Sequence, residues 1–63
     1  MFWKMVIHFK DGRTHELGSI DSLEGAKEKI QKIFEEGLII QSVNRYVYYP
    51  PGELKMGEMI KTE

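Results

Sequence analysis

Cysteine is absent from the 63 residues, which excludes disulfides and thiolate-held zinc or iron–sulfur centres. A net excess of positive or negative charge is missing too. Nine Lys and Arg against ten Asp and Glu leave a formal net charge of −1, far from the basic balance of a dedicated nucleic-acid binder. No apolar run approaches the roughly 18 residues of a membrane span. The longest N-terminal run, Met5-Val6-Ile7, is broken by His8 and Lys10 and does not read as a signal peptide. No repeat and no low-complexity segment is present. The expectation from these absences is a cytoplasmic protein whose Met1 opens a complete short reading frame.

What is there reads as a single domain over residues 1–63, at the lower limit of self-sufficient folding. Such a chain buries only about 60% of the surface that it exposes when unfolded. A core of this size supplies roughly 3–5 kcal/mol without a staple. The charge is unevenly spread. Lys4, Lys10 and Arg13 make the first fifteen residues basic, and residues 16–36 are acidic.

Trp3, Met5, Ile7 and Phe9 alternate with Lys4 and His8, which predicts a strand over residues 3–9. Asp11-Gly12 then predicts a hairpin, with a second strand over residues 13–18. Two registers compete. A two-residue loop would set His8 against His15 and turn Leu17 to the polar face. A three-residue loop with a bulged Gly12 would set Phe9 against Arg13, Ile7 against His15 and Met5 against Leu17. Burial of the apolar set favours the bulged register, because Leu17 is the one large apolar residue of that strand.

Asp21-Ser22-Leu23-Glu24 predicts the start of a helix over residues 22–36, with Asp21 as N-cap and Glu24 as its capping-box partner. Leu23, Ala26, Ile30, Ile33 and Phe34 form its apolar stripe, and Gly37 ends it. Leu38-Ile39-Ile40 reads as a link. Residues 42–49 alternate as a third strand, Pro50-Pro51-Gly52 turns the chain, and residues 54–61 make a fourth strand with Gly57 as a bulge or close-contact point. The predicted fold is α+β, with order β-β-α-β-β. A four-stranded, mainly antiparallel sheet carries one helix packed on one face.

One helix covers one sheet face. The other would carry Lys4, Val6, His8 and Lys10, with either Tyr46 and Tyr48 or Val43, Val47 and Tyr49 beside them. Tyr46, Tyr48 and Tyr49 next to Arg45 either close the core edge with their hydroxyls in water, or form an association patch of the residue types enriched in interface hot spots. The candidate interaction residues are therefore Lys4, Val6, His8, Lys10, Arg13, Arg45, Tyr46 and Tyr48.

Catalytic equipment is not apparent in the sequence. Ser19, Ser22 and Ser42 fall at a cap or near strand ends, no GxSxG elbow occurs, and the six glycines never form a phosphate-cradling loop. Glu35 and Glu36 point about 100° apart on a helix, so they make no acid/base couple. A His8–His15 metal site needs the less favoured register. The expectation is a non-enzymatic module without cofactor, metal or small-molecule substrate. Such adaptors, inhibitors or assembly factors are encoded by short bacterial, phage or mobile-element reading frames. Its partner would be another protein or a second copy of itself, docked on the open sheet face or an edge strand. The alternative is a nucleic-acid-binding accessory protein that uses the basic first hairpin and the strand tyrosines.

Overall fold

The computed structural model describes residues 1–62. Strand β1 (Phe2–Phe9) turns through Lys10-Asp11-Gly12 into β2 (Thr14–Ile20). The turn is the three-residue, bulged form: Phe9 N–H donates to Arg13 O at 2.9 Å, Gly12 N–H donates to Phe9 O at 3.0 Å, and Gly12 takes φ 96°. Only glycine adopts that conformation without steric cost. Ile7 consequently faces His15, and His8 and His15 fall on opposite sides of the sheet. The register then slips by one, so Met5 faces Gly18 rather than the expected Leu17. Leu17 is the extra residue of this second bulge and still packs on the core. The slip reconciles the register set by the turn with packing of Leu17, and of Ile20 at the strand's end, on the core.

Helix α1 (Leu23–Glu36) starts one residue later than expected. Its N-cap is Ser22, whose Oγ accepts from Gly25 N at 3.1 Å, and not Asp21. Gly25 suits this site because a Cβ there would lie 3.1 Å from Ile20 Cδ1. Ala26 and Ile30 are buried beneath the helix, Ile33 and Phe34 are half-buried, and Leu23 stays exposed on the first turn. Strand β5 (Leu54–Thr62) follows a 3-10 turn at Pro51–Glu53 and pairs with the whole of β1, with Lys55 bulged between Leu54 and Met56. Gly57 is the close-contact point: a Cβ there would come within 2.5 Å of Ile30 Cγ2. Its missing side chain lets the helix sit down on the sheet.

The expected single four-stranded sheet is replaced by two sheets. The first is three-stranded in the order β2-β1-β5. The second is a hairpin of β3 (Leu38–Gln41) and β4 (Tyr46–Tyr49), and all pairings are antiparallel. Residues 42–49 are thus not one strand. The chain reverses at Val43-Asn44, where Ser42 N–H donates to Arg45 O at 2.8 Å, and the presumed link Leu38-Ile39-Ile40 is itself a strand. Leu38, Ile40 and Tyr49 turn inward and close the end of the core, and the Tyr49 and Phe9 rings meet with centroids 4.5 Å apart. Met5, Ile7, Phe9, Ala26, Ile30, Leu38 and Leu54 form the buried centre, which holds no polar or charged residue among those described.

Candidate interaction surfaces

Helix and hairpin both pack against the β1 face that carries Met5, Ile7 and Phe9. The alternation of β1 therefore sends Phe2, Lys4, Val6 and His8 to the uncovered side. The neighbouring strands add Thr14, Glu16 and Ser19 on one flank and Met56, Glu58, Ile60 and Thr62 on the other. Phe2 (49% exposed), Met56 (44%) and Ile60 (37%) show apolar surface to solvent here. Val6 sits at the centre with Glu16 directly on one side and Glu58 directly on the other. Lys4 and His8 lie two residues before and after it. Lys4 Nζ reaches Glu16 Oε1 at 3.9 Å, and His8 Nε2 lies 3.0 Å from Glu58 Oε1. Two carboxylates and two basic groups thus alternate in a ring around one valine.

Arg45, Tyr46 and Tyr48 belong to the separate hairpin and do not join this face. Tyr46 and Tyr48 point outward with Ile39, opposite Tyr49. The Tyr48 hydroxyl donates to Glu36 O at 2.9 Å, capping a free carbonyl at the end of the helix, and its ring lies over Gly37. The tyrosines therefore divide. Tyr49 closes the core edge, Tyr48 ties hairpin to helix, and Tyr46 stands free.

The basic first hairpin is also partly engaged. Arg13 Nε donates to Asp11 Oδ2 at 2.7 Å, and its guanidinium sits 5.8 Å from the centre of the Tyr49 ring, so Arg13, Tyr49 and Phe9 stack in sequence. The Arg13 backbone N–H, which donates to Asp11 Oδ1 at 2.9 Å, and its guanidinium together hold the Asp11 carboxyl below its usual value. The same ion pair raises the Arg13 value. Lys10 remains exposed at the turn, with its backbone N–H bonded to Glu53 O at 3.0 Å. A shallow depression of about 320 Å3 at the end of the helix is lined by Lys29, Lys32, Ile33, Glu36 and Gly37. No polar or charged residue is buried among those described, so none is aimed into it from the interior.

No family model, curated protein or solved structure matches this chain. The surface must be judged on its own chemistry. Sequence reading placed Lys4, Val6 and His8 together but missed Glu16, Glu58, Met56, Ile60 and Phe2. The signal was the two-residue spacing of Met56, Glu58 and Ile60, which names one face of β5 once that strand is set beside β1. No helix among the described residues is long and apolar enough to cross a membrane.

Proposed function

We propose that this protein is a small, non-enzymatic interaction module whose working surface is the open face of the three-stranded sheet. One observation carries this reading: an entire sheet face has no covering layer, and Phe2, Met56 and Ile60 remain exposed on it. On this face the exposed apolar side chains are interleaved with charged ones, Glu58 between Met56 and Ile60 and Lys4 between Phe2 and Val6, and no second layer covers them. The hairpin's outward face is a poorer candidate. It is two four-residue strands wide, and Tyr48 is already committed to the helix end.

A photo-crosslinking residue at Ile60 should trap a protein at one discrete mass, while the same residue at the exposed Lys32 of the helix should trap none. Adducts at Lys32 alone would sink the reading. The nucleic-acid alternative draws little support from the first hairpin, since Lys4 is paired with Glu16, and Arg13 is held between Asp11 and Tyr49. A salt-dependent mobility shift on single-stranded RNA or DNA, lost in Lys10→Gln/Arg13→Gln, would reverse the preference.

A further inference from the structure

We propose that the occupant of the open face is a second copy of this chain, packed face to face with its strands crossed at about 90° and Val6 on the two-fold axis. The inference rests on the open-face reading above and adds the partner and its orientation.

The argument is the charge ring. Around Val6, Lys4 and His8 lie along the strand axis, and Glu16 and Glu58 lie across it. The steps are about 6.8 Å lengthwise and about 4.8 Å sideways, distances that these side chains easily span. Basic and acidic positions therefore alternate every quarter turn. In a symmetric face-to-face pair the direction of the two-fold decides which groups meet. An axis along β1 would set Glu16 over the partner's Glu58, and Lys4 and His8 each over their own copies. An axis across the strands would set His8 over the partner's Lys4 and each glutamate over itself. Both arrangements confront like charges, which opposes association.

A diagonal axis does the reverse. Lys4 and His8 each meet a carboxylate of the second copy, and every carboxylate gains a second basic neighbour. Protonated His8 makes the ring fully two-plus, two-minus; neutral His8 still offers a hydrogen-bonding nitrogen. The diagonal also runs through either Met56 or Ile60, so one of these exposed apolar side chains packs on its own copy beside Val6 on Val6. A sheet of three strands limits the overlap to a few hundred Å2 per copy, below the roughly 800 Å2 of a permanent interface. The dimer is accordingly transient and fills only at high concentration.

Sedimentation velocity up to about 1 mM tests this. The expected result is a concentration-dependent rise toward twice the chain mass, reduced as salt approaches about 1 M, where the Debye length falls to about 3 Å. Val6→Lys puts a cation on the axis against itself but between Glu16 and Glu58 of its own chain. It should keep its melting temperature and lose the dimer. Orientation needs no substitution. A zero-length carbodiimide crosslinker applied to a mixture of isotope-labelled and unlabelled copies should give mixed-isotope links from Lys4 to Glu16 or Glu58. A chain that stays monomeric throughout overturns the dimer, and if position 60 still traps a heavier protein, the open-face reading survives it. A dimer that ignores Val6→Lys overturns the Val6-centred dimer, and the open-face reading then stands or falls on the crosslinks at position 60 and Lys32. A Val6-sensitive dimer without mixed-isotope Lys4 links overturns the crossed geometry alone.

Discussion

At Gly37 the backbone leaves α1 with φ 97° and ψ 173°, donates its N–H to Ile33 O at 2.7 Å, and runs straight into β3. That conformation is open essentially to glycine alone. The site is also crowded: a Cβ would fall 2.6 Å from Tyr48 Cε1 and 2.7 Å from Tyr49 O. Gly37→Ala should therefore lower stability by about 2–3 kcal/mol, since strain at such a site costs about 1–3 kcal/mol before any clash is counted. Gly52→Ala, with nothing within 4 Å and no positive φ, should be near neutral in the same denaturant series. Asp11 gives a second test at this scale. Its folded value lies below the ordinary 3.8, chiefly through the Arg13 backbone N–H. Its contribution is therefore present above the ordinary value and fades as pH falls through the lowered one. Because the backbone donor outlasts the side chain, Arg13→Ala should leave Asp11 titrating below 3.8 when followed by carboxyl NMR.

Among the elements, α1 depends on Ser22 rather than Asp21. Ser22→Ala should cost about 1 kcal/mol, and Asp21→Ala distinctly less, by urea midpoint at constant slope. Gly57→Ala would force a methyl into Ile30 and should cost about 1–3 kcal/mol by overpacking. How far the sequence could be read follows from which elements carry local signals. Strand β1, the Asp11-Gly12 turn and the helix stripe announce themselves through period and through residues with special backbone freedom. The β3–β4 hairpin does not. Its turn residues, Val43 and Asn44, adopt no positive φ, so neither the Asn-Gly nor the Asp-Gly pattern was there to find. Its first strand offers only Leu38-Ile39-Ile40 before Gln41, too short to show a period. Alternation on either side of the turn therefore runs on through it in the sequence, as one apparent strand over residues 42–49. The sequence does not separate the two candidate N-caps, because Asp21 and Ser22 are adjacent residues of equal capping strength. The candidate surface was half legible: the β1 residues follow from alternation, but Glu16 and Glu58 join them only through the two registers.

For the whole molecule, the three-stranded sheet depends on β1, which lies between a neighbour close in sequence and one far away. Removing residues 54–62 takes away buried Leu54, half-buried Met59 and one entire edge of β1. With roughly 3–5 kcal/mol to lose in a core of this size, the shortened chain should show no cooperative thermal transition by circular dichroism. The hairpin and helix should not rescue it, because both pack on a face that β5 completes.

The pairing of β1 with β5 also bears on how the chain is made. Residues 10–53 must be synthesised between the end of one strand and the start of the other. At about 5–20 residues per second, this separates their appearance by roughly 2–9 s. During that interval the first hairpin can form, but the Met5-Ile7-Phe9 face stays incompletely covered and one backbone edge of β1 stays open. A chain halted before Leu54 would therefore hold β1, β2, α1 and the β3–β4 hairpin with one edge of β1 unpaired. The sheet closes only when residues 54–62 reach the open edge of β1.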